Sequence, residues 1–194
     1  MEPSTSPGTG FGARAIEAVR RSGTPLVLGI DPRAEEIPAD FAPGDSWPMR
    51  LRKWSQALVG LAAAEKLPAV KVQVAFYEAA GGAGISAFVS ALDAARDAGM
   101  IAIADVKRGD IGSTAEAYAE AFFGEKAHLP ADAITASPFL GADSLAPLVQ
   151  AAARRSAGVF VLVRTSNPGA SDLQDLELKD GRRVSDAVAD LVAR

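Results

Sequence analysis

The stretch "IADVKRGDIGST", Ile103 to Thr114, sets Asp105, Lys107 and Asp110 close together directly after a run of small apolar side chains. Alternate residues of a strand face the same side, so Asp105 and Lys107 should project together while Val106 turns away. Gly109 permits a turn that returns Asp110 toward the same opening. Two further charges, Lys71 in "AVKVQV" and Asp31 in "LGIDPR", also lie in runs that read as buried strands. Burying an ion is costly, so such groups are normally paired or functional. A structural reading makes them an ion-pair network at strand ends. The functional reading is an alternating carboxylate and ammonium array, able to aim a lysine as proton donor at a developing carbanion.

The elements that must position this array are legible as alternation. Five apolar runs rich in Val and Ile read as strands buried on both faces: "PLVLGIDPR", "AVKVQVAFY", "MIAIADVKR", "ADAITASPF" and "GVFVLVRTS". Between them lie stretches of helical period, marked by Leu51, Trp54, Leu58 and Leu61, by Ile85, Phe88, Val89 and Leu92, by Ala117, Tyr118, Ala121 and Phe122, and by Leu145, Leu148, Val149 and Ala152. A last stripe, Val184, Ala187, Val188, Leu191 and Val192, predicts a helix near Arg194. Strand–helix alternation implies a parallel sheet with crossover helices. "STAE", Ser113 to Glu116, fits a capping box, and Asp143 fits an N-cap. Ala34 to Pro48 and Ser166 to Arg183 lack periodicity and follow strands, where α/β proteins carry their working loops. Five strands suit either an open doubly wound sheet or an eight-stranded barrel without its last part.

The bulk properties exclude several classes. At 194 residues with 48% hydrophobic content the chain can bury a substantial core. Its net charge of −4 is mixed in sign throughout, without the basic stripe that nucleic acid demands. With no cysteine and one histidine, His128, thiolate chemistry and histidine metal clusters are excluded. The polar start "MEPSTSPGTGFG" lacks the apolar core of a signal peptide, so residues 1–10 are expected to be disordered and the protein cytoplasmic, without a membrane span. His128 reads as a surface residue, "GGAG" at Gly81 to Gly84 as a helix start lacking the rest of a phosphate-loop fingerprint, and Trp47 and Trp54 as packing residues.

Taken together, "DVKRGDIGST", "LGIDPR", "VKVQVAFYE", "ASPFLGADSL" and "VLVRTSNPG" resemble, in order, the motifs of orotidine 5′-phosphate decarboxylases of the longer bacterial class. The likeness runs over nearly all of the chain after about residue 11. It implies a TIM (β/α)8 barrel type of α/β fold, with about the first five to six β/α units present and residues 11–194 forming one incomplete barrel domain. It also implies a carbon–carbon lyase without cofactor or metal, converting orotidine 5′-monophosphate to uridine 5′-monophosphate in pyrimidine biosynthesis. By resemblance, Lys107 protonates C6 of the pyrimidine, flanked by Asp105 and Lys71. Asp110 reaches the neighbour's site across a homodimer interface, with Thr114 beside it near the ribose. Asp31 holds a ribose hydroxyl, Thr165 or Ser166 meets the pyrimidine edge, and Ser137 stands at a strand end without a clear role.

The resemblance also sets limits. The family completes its barrel with three more strands and grips phosphate after the last two, so this chain is expected to turn over poorly by itself. Two rivals stand beside the decarboxylase reading. One is a non-catalytic fragment of that enzyme. The other is a magnesium-dependent sugar-phosphate decarboxylase or aldolase of the same superfamily, which shares a related Asp-x-Lys-x-x-Asp signature.

Overall fold

A computed structural model describes residues 10–193. The expectation of a disordered start concerns residues 1–9, outside that range, together with Gly10, which leads directly into a helix. The five apolar runs form β1 (Val27–Ile30), β2 (Ala69–Gln73), β3 (Ile101–Arg108), β4 (Ala133–Ala136) and β5 (Gly158–Val161). All neighbours pair in parallel, in the order β1-β2-β3-β4-β5. A doubly wound sheet reverses its strand order at a switch point. No such reversal occurs among the described strands, so the sheet is the sequentially wound wall of a barrel.

Seven helices accompany the described strands: α1 (Phe11–Ser22), α2 (Trp47–Ala64), α3 (Ala75–Glu78), α4 (Gly81–Asp97), α5 (Gly112–Phe123), α6 (Ala142–Arg154) and α7 (Val184–Val192). The strand faces divide by parity, as the pleat requires. Ile30, Val70, Val72, Ala102, Ala104, Val106, Ile134 and Ala136 turn outward and join the helices in the main core around Phe88, Leu92, Phe122 and Leu148. Small alanines on the strands let the helices approach closely. Gly84 of α4 packs against the end of α3, where a Cβ would lie 2.0 Å from the Tyr77 carbonyl oxygen. The Tyr77 hydroxyl shares a 2.7 Å hydrogen bond with Ser55, whose hydroxyl donates to the Leu51 carbonyl, so the buried polar atoms are satisfied. Burial, against that Ser55 bond, pushes the Tyr77 phenol well above its ordinary range.

The inward parity is closed at the N-terminal strand ends by α1, a helix that the sequence reading did not anticipate. Phe11, Ala15 and Ala18 pack on Ala69, Ile101, Ile103 and Ala133. Arg14 pairs with Asp132 and donates to the Ser156 carbonyl, while Asp132 accepts from Ala102 N at 3.0 Å. Phe11 also lies edge-on to Phe160 and occupies the space that a side chain at Gly158 would need. One end of the inner face is thus plugged, and the C-terminal strand ends are left for the site.

Several expectations need correction. β1 and β5 are not buried on both faces: Val27 and Phe160 are each 46% exposed, because these strands are the two sheet edges and their inner residues lack neighbours on one side. Leu61 and Val149 of the helical stripes are exposed as well. "STAE" is not a capping box. Gly112, at φ +52°, lets α5 begin one residue ahead of Ser113 with Ile111 at the N-cap. Asp143 lies inside the first turn of α6, where it faces the positive helix end, and Gly141 is the N-cap. The two aperiodic stretches contain short 3-10 turns, Ala34–Glu36 and Pro168–Asp172, and the second is tied by a bridge between Glu177 and Arg183. The predicted last helix is present as α7. Gly81 does open α4, His128 is exposed, and Trp54 packs edge-on against Phe41. Among the described residues, no helix is long and apolar enough to cross a membrane.

Candidate active site

β3 is the longest of the described strands, and its inward parity switches from apolar to charged at Asp105. Asp105 and Lys107 face inward, and Val106 joins the core behind them. Arg108, next in line, turns away: its guanidinium pairs with Glu78 at 2.6 Å and lies over the Tyr118 ring at 5.5 Å. Of the two cations in "VKR", only Lys107 therefore belongs to the inner face.

Asp105 is the hub. It is only 5% exposed, and both of its carboxylate oxygens are doubly hydrogen-bonded. Oδ1 accepts from Lys107 Nζ at 2.6 Å and from Thr135 Oγ1 at 2.9 Å. Oδ2 accepts from Lys71 Nζ at 2.7 Å and from Gln73 Nε2 at 3.1 Å. Burial pushes the carboxyl up, but hydrogen bonds from Lys107, Lys71 and Thr135 outweigh it and hold Asp105 below the usual carboxylate range. The ionised carboxylate lies in the wall while the two ammonium-bearing side chains remain partly open to solvent. Such an array can present positive charge and a proton to a bound anion without burying a lone charge.

Lys107 is held in an unusual backbone. Its φ is +44°, in the left-handed region that costs a non-glycine residue about 1–2 kcal/mol. The β3–β4 register explains it: Ala104 pairs with Ile134, and the next pair is Arg108 with Ala136, so the chain bulges over residues 105–107. The main-chain N–H groups of Val106 and Lys107 both donate to Thr135 Oγ1 at 2.9 Å. Beyond the bulge, Ser137 N donates to the Arg108 carbonyl at 2.8 Å, and a Cβ at Gly109 would come within 2.9 Å of the Ser137 carbonyl oxygen. Glycine at 109 is required by that approach.

Of the nine residues expected in the site, three are in direct contact: Lys71, Asp105 and Lys107. The other six lie at or beyond C-terminal strand ends and make no hydrogen bond or ion pair to that trio. Asp31 follows β1 and is exposed. Asp110 lies in the loop after β3 with Oδ1 accepting from Ile111 N, and Thr114 is exposed on the first turn of α5. Ser137 follows β4. In the loop after β5, Thr165 is fixed by Gln174, whose Oε1 accepts from Thr165 N and whose Nε2 donates to Thr165 Oγ1, both at 2.8 Å, while Ser166 is exposed. Arg164 braces the same loop through Asp175 at 2.8 Å. Sequence reasoning missed Gln73, Thr135 and Gln174. Gln73 carried a usable signal, since it is a polar residue two positions from Lys71 on the same strand face.

Comparison with known proteins agrees with this geometry. A family model described as "Orotidine 5′-phosphate decarboxylase / HUMPS family" matches residues 24–194. The orotidine 5′-phosphate decarboxylase of Rhodopirellula baltica is 41% identical over 192 residues, covering 94% of this chain and 63% of the relative. That of Streptomyces coelicolor is 42% identical over 174 residues, covering 90% of this chain and 61% of the relative. The solved structure of Leishmania donovani OMP decarboxylase is 35% identical with a TM-score of 0.75, over 93% of this chain and 63% of that one. The chain thus spans a little over three fifths of the length of these relatives. With the sequential parallel sheet, the Lys71–Asp105–Lys107 array and the family match in place, the chain belongs to the orotidine 5′-phosphate decarboxylase / HUMPS family.

Proposed function

We propose that the chain carries the decarboxylation centre for orotidine 5′-monophosphate, forming uridine 5′-monophosphate in pyrimidine biosynthesis in the cytoplasm. One observation carries this reading: a buried, ionised Asp105 holding two lysine ammonium groups at the C-terminal strand ends. In the reaction the bond from C6 to its carboxylate breaks, carbon dioxide leaves, and the electron pair stays on C6. The Lys107 ammonium supplies the proton that replaces it. Loss of carbon dioxide from a carbon without an electron sink asks for a barrier reduction of up to about 20 kcal/mol, near the upper end for enzymes. Fixed ammonium groups aimed at the developing charge are the largest contributor available here.

In this reading Asp31 holds the ribose, Thr165 and Ser166 meet the pyrimidine edge, and Ser137 lines the same opening. Asp110 and Thr114 serve the neighbouring subunit of a homodimer. The exposed apolar side chains Ile111, Phe139 and Leu140, on the loops after β3 and β4, support an interface there. The array argues against the magnesium-dependent rival, because a cation on Asp105 would have to displace one of the four groups that already occupy its oxygens.

A second reading, nucleotide binding without turnover, is favoured by the open sheet edges at β1 and β5, next to Asp31 and to the Thr165 loop. Calorimetry with uridine 5′-monophosphate alongside carbon dioxide release from carboxyl-labelled substrate separates the two. Release together with binding supports the decarboxylase, binding alone supports the second reading, and neither removes both. Sedimentation of the same samples tests the dimer, which a monomer at every concentration would refute.

A further inference from the structure

We propose that Thr135 is the positioning residue of the array: one hydroxyl sets both the left-handed backbone of Lys107 and the Asp105 oxygen that its ammonium grips. The catalytic consequence rests on the decarboxylase reading, whereas the geometric claim stands on the structure alone.

A threonine hydroxyl has one proton and two lone pairs, and here all three are used. Thr135 Oγ1 donates to Asp105 Oδ1 at 2.9 Å and accepts from Val106 N and Lys107 N, each at 2.9 Å. The bulge makes this necessary. Between the pairs Ala104–Ile134 and Arg108–Ala136, three residues of β3 oppose Thr135 alone, so the regular ladder has too few carbonyls for their N–H groups. A side-chain oxygen on β4 takes their place. Lys107 is thereby referenced to one atom at both ends: its backbone N bonds the hydroxyl directly, and its Nζ bonds the carboxylate oxygen that the hydroxyl holds. Gln73 cannot substitute, because it bonds the other oxygen of Asp105, on the Lys71 side. Thr135 is itself buried, so water has little access to replace the lost bonds.

The test compares Thr135→Val, isosteric but without the hydroxyl, with Thr135→Ser, which keeps it. The first readout needs no turnover: carbon-13 NMR titration of the Asp105 carboxyl. Lys71 and Lys107 are the charged groups paired with this carboxylate, and neither is altered in the variants. Thr135→Val is expected to move the Asp105 titration upward, and Thr135→Ser to leave it in place. The second readout is kinetic: Thr135→Val lowers kcat about a hundredfold with little change in KM, and Thr135→Ser restores most of it. If Thr135→Val does not fold, Thr135→Ala takes its place with the same expectation for the carboxyl. An unmoved Asp105 titration in the hydroxyl-free variant, or kcat equal to that of the unaltered chain, overturns the proposal. An unaltered chain that releases no carbon dioxide removes the decarboxylase reading instead, and the carboxyl titration still decides whether Thr135 positions the array.

Discussion

The centre of the sheet and its two edges are built on different terms. On β2, β3 and β4 the inward polar side chains are multiply bonded around a buried Asp105 and braced from behind by a core that includes Phe88 and Leu92. On β1 and β5 the inward residues Val27 and Phe160 are half exposed, and the polar residues beyond them, Asp31, Thr165 and Ser166, make no hydrogen bond or ion pair to the array. The proposed chemistry is therefore held by contacts among three adjacent strands. The proposed grip on the nucleotide is distributed over loops at the periphery, where the backbone has fewer neighbours.

The contrast can be broken by comparing two phenylalanines. Phe88→Ala, at a fully buried position behind the central strands, should lower stability by about 3–5 kcal/mol. Phe160→Ala, at a half-exposed edge, loses only part of its burial and its edge-on contact with Phe11, and should cost about 1–2 kcal/mol. Urea unfolding of both variants measures the difference, and equal losses would show that the edge is as consolidated as the centre.

A smaller effect sharpens the electrostatic side. Asp105 is held below its ordinary value in the folded chain, so the native state binds this proton less readily than the unfolded state does. Its contribution to stability is then fully present above the unfolded carboxylate value of about 3.9 and is lost as pH falls through the lower native value. Urea midpoints of the unaltered chain and of Asp105→Asn, measured from neutral pH downward, should converge across that acid window. A constant gap would mean that the ion pairs to Lys71 and Lys107 contribute nothing.

What the sequence revealed follows the same division. The central strands and the trio Lys71, Asp105 and Lys107 were legible because charges interrupt apolar alternation, a pattern with few cheap explanations. Thr135 was not, since a threonine in a strand reads as an ordinary β-former until the bulge opposite it is seen. α1 escaped because its contact residues, Phe11, Ala15 and Ala18, include two alanines that carry little hydrophobic signal, although Gly23 at φ +70° does cap it. The start of α5 differs from the sequence signal because a backbone turn at Gly112, rather than the Ser113 side chain, admits the helix. The edge strands read as buried from sequence because apolar composition does not say how many neighbours a strand has.

The central claim is that the Lys107 ammonium, fixed by Asp105, gives its proton to C6 of the pyrimidine. The most direct measurement is carbon dioxide release from carboxyl-labelled orotidine 5′-monophosphate by the unaltered chain and by Lys107→Ala, with circular dichroism to confirm that both are folded. The account predicts release by the unaltered chain and at least about a thousandfold less by the folded variant, within the range of a lost general acid. Comparable release from the two would contradict it.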